Sequence, residues 1–238
     1  MKDERLIVAL DVRTMAEVRA LAEQLGETVS YYKVGMELFY AVGRTAIDYL
    51  HDEGKRIFLD LKLHDIPNTV AEGLCSLTGL RADMMNVHAS GGYTMMRTAA
   101  ERVREKAERD GIPAPKLIAV TVLTSIGKSE WTQMGNHDAV RERVVRLAEL
   151  AKKAELDGVV ASPMEAAAIR EACGKDFLIV TPGVRPAGAA ADDQSRIATP
   201  SAALENGATH IVIGRPIRAA SDPRAAAEAI IREMEGVR

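Results

Sequence analysis

Eight short apolar runs recur along this chain of 238 residues, and a polar position and a helix-like stretch follow each of them. The runs cover residues 6–10, 31–36, 57–63, 84–89, 117–123, 158–161, 177–180 and 211–213. Several are rich in β-branched residues and almost continuously apolar, which is typical of parallel strands buried on both faces. We therefore predict an α/β fold, a (β/α)8 TIM barrel formed by a single domain over residues 1–238. A doubly wound sheet is the alternative, but no G-x-G-x-x-G follows the first run.

The charge balance does not indicate a nucleic-acid surface. The chain has 31 Lys and Arg against 34 Asp and Glu, a net charge of −3, so an anionic ligand would need a local group of cations. Cys75 and Cys173 lack metal-ligand spacing, which favours a reducing compartment. The first apolar run is too short for a signal-peptide core, and no stretch approaches a membrane span. We expect a soluble cytoplasmic protein that binds neither nucleic acid nor membranes.

Polar residues cluster at the carboxyl ends of the predicted strands, where barrels of this kind carry their active sites. Asp60 and Lys62 point to the same face of the third strand, because side chains alternate along a strand. Such a pair alone is most simply a structural ion pair. Gathered at one mouth, however, the strand-end residues favour a functional site. They are Asp11, Lys33, Asp60, Lys62, His88, Thr121, Thr124, Arg185 and Arg215.

The last two strand ends are typical of a phosphate site. Loops after strands 7 and 8 of such barrels bind phosphate through backbone N–H groups. Gly183 and Gly214 allow the backbone to approach closely, while Arg185 and Arg215 offer forked donors. The small-residue segment 186–194 is compatible equally with a lid that closes over the ligand and with an ordinary exposed loop.

His64 and His88 would be the natural candidates for metal ligands or a general base. Neither belongs to a His/Glu cluster at ligand spacing. We therefore predict structural hydrogen-bonding roles for both histidines and no metal site.

Several motifs closely resemble those of the orotidine 5'-phosphate decarboxylase family, in its shorter-chain bacterial branch. They follow the family's order from Ala9-Leu10-Asp11 to Ile213-Gly214-Arg215. The others are Lys33-Val34-Gly35-Met36-Glu37, Asp60-Leu61-Lys62-Leu63-His64-Asp65-Ile66-Pro67-Asn68-Thr69, Asn86-Val87-His88-Ala89 and Thr181-Pro182-Gly183-Val184-Arg185. The resemblance implies a homodimer that converts orotidine 5'-monophosphate to UMP and carbon dioxide in pyrimidine biosynthesis, without metal or organic cofactor.

The resemblance also implies a role for each matching residue. Lys62 would protonate C6 of the pyrimidine, Asp60 would lie against the substrate carboxylate, and Lys33 would complete an alternating array of charges. Asp65 and Thr69 would reach into the partner's site. The remaining implied substrate contacts are Asp11 and Lys33 to the ribose, Thr124 to the pyrimidine edge, Gln194 to base and phosphate, and Arg185, Gly214 and Arg215 to the phosphate.

Two other functions fit parts of the pattern. A decarboxylase acting on a keto-sugar phosphate would share Asp60, Lys62 and Asp65 but would use magnesium. Lys33 opposes that function, because it stands where a metal-binding acid is expected and would repel the cation. A non-catalytic nucleotide-binding barrel is the second possibility, because fold alone does not specify function. The crowding of charge around Lys62 argues against a simple binding protein.

Overall fold

The computed structural model describes residues 2–186 and 198–237. Within these ranges eight parallel strands pair in chain order, and β8 pairs with β1 to close a barrel. The strands are β1 (Leu6–Ala9), β2 (Tyr31–Gly35), β3 (Arg56–Leu63), β4 (Met84–His88), β5 (Lys116–Val120), β6 (Gly158–Val160), β7 (Leu178–Thr181) and β8 (His210–Ile213). The predicted TIM barrel is confirmed, and the alternative of a doubly wound sheet is wrong.

Helices connect the strands and form the outer layer of the barrel. They are α1 (Met15–Leu25), α2 (Met36–Val42), α3 (Arg44–Asp52), α4 (Pro67–Thr78), α5 (Gly92–Asp110), α6 (Lys128–Gln133), α7 (Val140–Lys153), α8 (Ala166–Cys173), α9 (Pro200–Glu205), α10 (Arg215–Arg218) and α11 (Pro223–Glu235). Among the described residues, none of these helices combines the length and the apolarity needed to cross a membrane.

Alternation along the strands separates an inner from an outer set of side chains. Outward residues pack with the helices in the larger core, whereas inward residues fill the barrel with a small apolar cluster. That cluster contains Ile7, Ala9, Tyr31, Phe58, Met84, Ile118, Val180 and Val212. Two residues beyond the cluster on β2, β3 and β4, the same inward positions hold Lys33, Asp60 and Asn86. The alternation that builds the core therefore also turns polar groups toward the mouth.

Strand β5 is shorter than its apolar run. The run continues to residue 123, but pairing ends at Val120. Val122 is buried and Leu123 is 41% exposed, and both line a pocket at the barrel mouth. The end of this apolar run therefore contributes to the pocket wall and not to the sheet.

Strands β6 and β7 approach so closely that Gly158 has no room for a side chain. A Cβ at this position would lie 2.3 Å from the carbonyl oxygen of Leu178 and 2.4 Å from its Cβ. We expect Gly158→Ala to lower the free energy of unfolding by about 2 kcal/mol, because a methyl group forced into a packed core displaces backbone. Urea or thermal unfolding measures the loss.

Gly236→Ala is the matched control for that substitution. Gly236 has a right-handed helical φ of −68°, and a Cβ there would meet nothing within 4 Å. Equal stability of the two variants would contradict the steric explanation.

Candidate active site

Four charged side chains form a row of alternating sign at the mouth, called here the charged row: Asp11, Lys33, Asp60 and Lys62. Lys33 Nζ lies 3.1 Å from Asp11 Oδ1 and 3.4 Å from Asp60 Oδ2. Lys62 Nζ lies 2.8 Å from Asp60 Oδ1. Asp60 therefore sits between two ammonium groups, and Lys33 sits between two carboxylates. The structure brings together the four strand-end charges from β1, β2 and β3 that the sequence predicts to share one site.

The charged row keeps its inner members ionised despite their burial. Burial has the largest effect on the pKa of the Asp60 carboxyl and by itself would raise it. Lys33, Lys62 and a hydrogen bond from Asn86 outweigh burial together and hold this pKa below the usual value. Burial likewise opposes the charge on Lys33, and the carboxylates of Asp60 and Asp11 raise the pKa of its ammonium above the usual value. The site therefore holds fixed charges in a place from which water is largely removed, where electrostatic interactions are strong.

Lys62 owes its orientation to an irregularity at the end of β3. The register between β3 and β4 shifts between Leu59 and Leu63, and Lys62 has φ of +54°, in the left-handed region. That conformation costs a residue with a side chain on the order of 1–3 kcal/mol, and bulges of this kind re-aim side chains beside active sites. The residue with this strained backbone is thus the one whose ammonium contacts Asp60.

An apolar pocket adjoins the lysine end of the charged row. Lys33, Asp60 and Lys62 line it together with side chains from the other strand ends. These are Phe58, Val120, Val122, Leu123, Thr124, Val160, Ala161, Pro182 and Val212. The pocket sets two ammonium groups and a carboxylate against mostly apolar walls.

A second pocket, the arginine pocket, continues from the first and carries most of the positive charge. Lys33, Pro182 and Val212 line both pockets. The other residues of the arginine pocket are Ala9, Asp11, Gly183, Arg185, Gly214, Arg215 and Arg218. Three guanidinium groups in one concave site favour an anion with several oxygens, as the sequence predicts for these two strand ends.

Backbone geometry keeps the arginine pocket open. Gly183 has φ of +79°, which favours glycine. A Cβ on Gly214 would lie 3.4 Å from both Ala9 Cβ and Asp11 Oδ2, so a larger residue would crowd the carboxylate of the charged row.

Not every residue predicted for the site lines these pockets. Asp65 and Thr69 are exposed and lie outside both, and Asp65 Oδ1 accepts a hydrogen bond from the backbone N–H of Ile66 over 2.6 Å. Thr121 is buried, and its hydroxyl donates to the carbonyl of Val160. Gln194 and all of segment 186–194 after Pro186 lie outside the described residues.

The two histidines lie beside the charged row and contact each other. The ring centroids of His64 and His88 are 5.4 Å apart. Burial, followed by the neighbouring His64 and Lys62, lowers the pKa of His88. This histidine is therefore neutral near pH 7, and it adds no further positive charge beside Lys62.

Asn86 and Arg218 are two site residues that sequence reasoning missed. The Asn86 side chain is hydrogen-bonded to Asp60, and Arg218 lines the arginine pocket. A signal existed for each. Asn86 is a polar residue at an inward position of β4, between the apolar Met85 and Val87, and Arg218 follows Arg215 by three residues, which places both on one side of α10.

Comparison with known proteins shows the family of this chain. A model of the family described as "Orotidine 5'-phosphate decarboxylase / HUMPS family" matches residues 4–230. The orotidine 5'-phosphate decarboxylase of Moorella thermoacetica is 52% identical over 236 residues, covering 99% of this chain and 94% of the relative. That of Carboxydothermus hydrogenoformans is 50% identical over 234 residues, covering 98% and 97% of the two chains.

A solved structure agrees as well. The crystal structure of orotidine 5'-phosphate decarboxylase from Lactobacillus acidophilus is 43% identical, covers 98% of this chain and 99% of its own, and superposes with a TM-score of 0.83. The resemblance inferred from the motifs is thereby confirmed. The chain belongs to the orotidine 5'-phosphate decarboxylase / HUMPS family.

Proposed function

We propose that this protein is the orotidine 5'-phosphate decarboxylase of pyrimidine biosynthesis, which converts orotidine 5'-monophosphate to UMP and carbon dioxide. The observation that carries the proposal is the charged row, with Lys62 2.8 Å from a buried Asp60, at the junction of an apolar and an arginine pocket. The relatives named above carry the same activity in their names.

The two pockets divide the substrate between them. The pyrimidine occupies the apolar pocket with its edge toward Thr124, and the phosphate occupies the arginine pocket, held by Arg185, Arg215 and the backbone at Gly214. Lys33 lines both pockets and Asp11 contacts it from the arginine pocket, and these two residues bind the ribose hydroxyls. This placement is supported by the lining of the two pockets and by the residues they share.

The chemistry requires stabilisation of a carbanion. When carbon dioxide leaves, the electron pair of the broken bond stays on C6 in an orbital that no adjacent carbonyl can delocalise. The Lys62 ammonium stabilises this charge, and a proton then passes from Nζ to C6 to form UMP. Asp60 keeps the ammonium in place, and its buried negative charge repels the substrate carboxylate until carbon dioxide departs.

The reaction needs no metal in this proposal. A divalent cation bound by the carboxylates of Asp11 and Asp60 would lie against the Lys33 ammonium, which already lies within 3.4 Å of both. That charge pattern opposes the magnesium-dependent decarboxylation of a keto-sugar phosphate.

The fall in absorbance as orotidine 5'-monophosphate becomes UMP tests both the proposed activity and the proposed absence of a metal requirement. We expect the purified protein to turn over this substrate and to keep its rate in EDTA. Binding of UMP without turnover would favour the non-catalytic nucleotide-binding alternative. A rate lost in EDTA and restored by magnesium would overturn the metal-free mechanism.

We also propose that the enzyme is a homodimer in which Asp65 and Thr69 complete the partner's site. Both are exposed and lie outside the pockets of their own chain. Ile66, between them, is a large apolar residue left 67% exposed, as expected at a surface that another chain covers.

Mixed dimers test this arrangement. Lys62→Ala and Asp65→Asn variants are each expected to be nearly inactive. After unfolding and refolding together in equimolar amounts, half of the dimers are mixed, and each mixed dimer has one site with both native residues. We therefore expect about a quarter of wild-type activity to return. No recovery, despite dimers that form normally, would place Asp65 in its own subunit's site.

A further inference from the structure

The side chain of Asn86, on β4, links Lys62, the proposed proton donor, to its ion-pair partner Asp60. Asn86 Oδ1 accepts a hydrogen bond from the backbone N–H of Lys62 over 2.8 Å. Asn86 Nδ2 donates to Asp60 Oδ1 over 2.7 Å. The amide is only 1% exposed, so both bonds form away from bulk water. One buried amide therefore fixes the backbone of Lys62 and the carboxylate of Asp60 relative to each other.

The first bond supports the irregular backbone of β3. Where the register with β4 shifts, the Lys62 N–H meets the Asn86 side chain. Lys62 is also the residue with φ of +54°. Without this acceptor, the half-buried N–H of Lys62 would lose its partner and the left-handed conformation would lose a support. A Lys62 backbone that leaves the left-handed region turns its Cα–Cβ bond, and so moves Nζ relative to Asp60.

The second bond sets the rotation of the Asp60 carboxylate. Its Oδ1 accepts from Asn86 Nδ2 at 2.7 Å and lies 2.8 Å from Lys62 Nζ, while Oδ2 faces Lys33 at 3.4 Å. The amide can be oriented in only one way, because the Lys62 N–H only donates and the carboxylate only accepts. Asn86 therefore donates one hydrogen bond, to Asp60, and accepts another, from Lys62. No apolar side chain could make either bond.

We propose that Asn86 is a positioning residue for the decarboxylation: its amide holds the bulge at Lys62 and the carboxylate of Asp60 in a fixed relation, and so directs the Lys62 ammonium at the reacting carbon. This inference rests on the proposed function. It assigns Asn86 no contact with the substrate, because the amide acts through its two neighbours.

Two substitutions separate the two tasks. Asn86→Ala removes both hydrogen bonds, and we expect kcat to fall about 100-fold, the order of loss that misplacing a catalytic group by an ångström produces. KM and the affinity for UMP should change less than about threefold, because the pockets are left intact. Asn86→Asp keeps an acceptor for the Lys62 N–H but sets a second carboxylate against Asp60 at the position of the lost donor.

The pH profile of Asn86→Asp distinguishes positioning from general packing. When the carboxyl that this substitution introduces is protonated, it can donate to Asp60 as the amide does, whereas its ionised form repels Asp60. We therefore expect the activity of this variant relative to wild type to rise as the pH falls from about 8 to about 5, as one of the two carboxyls takes up a proton. A constant ratio across this range would overturn the assigned donor role.

Thr78→Val is the matched control for the loss of a buried hydrogen bond. Thr78 is 1% exposed in α4, and its hydroxyl donates to the Leu74 carbonyl. This variant should lose stability but keep wild-type kcat. If Asn86→Ala also kept kcat, or lost activity through KM alone, the proposal would be wrong.

A crystal structure of Asn86→Ala provides a readout independent of turnover. We expect Lys62 Nζ to lie more than about 3.5 Å from Asp60 Oδ1 in the variant, beyond hydrogen-bond range. An unchanged charged row with φ of Lys62 still positive would refute the positioning role even if the wild type failed to decarboxylate the expected substrate. Failure of that assay alone would refute the proposed function instead.

Discussion

Replacing Lys62 by alanine is expected to lower kcat about 10⁵-fold. The substitution removes the group that stabilises the carbanion and the group that protonates it, two effects worth roughly 10²–10³ and 10²–10⁴ when lost separately. No neighbour replaces it, because Lys33 is held between Asp11 and Asp60. The absorbance assay with orotidine 5'-monophosphate, run at high enzyme concentration, measures the residual rate.

Binding should survive that substitution. The arginine pocket and the apolar walls do not depend on the Lys62 ammonium, so UMP affinity in calorimetry should stay within about tenfold of wild type. Lys116→Ala is the control lysine variant, since Lys116 is ion-paired with Asp157 at the start of β5, the end of the barrel opposite the mouth. A Lys62→Ala enzyme with more than one per cent of wild-type kcat (a loss below about 10²-fold) would exclude Lys62 as the proton donor.

The barrel could be predicted from two patterns in the sequence: the recurrence of apolar runs along the chain and the alternation of side chains within each strand. Eight buried runs specify the sheet, and alternation within β2 and β3 places Lys33 and Asp60 above the inward apolar cluster. The bulge at Lys62 could not be predicted, because its backbone conformation is supported by a contact with β4, 24 residues along the chain. Local sequence contains no trace of that partner.

Four charged residues of the site were predicted from the sequence, whereas the neutral Asn86 was missed, as was Arg218. Asp11, Lys33, Asp60 and Lys62 are conspicuous at the ends of apolar strands. Asn86 is a neutral amide inside such a strand, and its importance follows only from the two groups that flank it in space. A charged residue inside an apolar segment indicates a functional site, because burying a charge is costly. The role of a buried amide is recognised only from its hydrogen bonds in the structure.

Replacing Asp60 by asparagine is expected to lower kcat about 10³-fold while leaving the size of the side chain unchanged. Asp60 is the negative charge between two ammonium groups, 2.8 Å from Lys62 Nζ and 3.4 Å from Lys33 Nζ. An uncharged amide neither balances these charges nor fixes the direction of the Lys62 ammonium, so the preorganised field at C6 is weakened. Steady-state kinetics with orotidine 5'-monophosphate give the loss, and Asp157→Asn, which affects an ion pair remote from the mouth, should leave kcat unchanged.

The pH dependence of kcat in Asp60→Asn follows from the carboxylates that keep Lys33 protonated. Burial by itself lowers the pKa of this lysine, and Asp60 is the first of the carboxylates that raise it. Without Asp60 the pKa of Lys33 must fall, so the ammonium loses its proton at a lower pH than in the wild type. We therefore expect the alkaline limb of the kcat profile to move toward neutral pH, and the deficit relative to wild type to grow as the pH rises. A deficit independent of pH would mean that Asp60 acts on Lys62 and the substrate alone, with no part in keeping the charged row ionised.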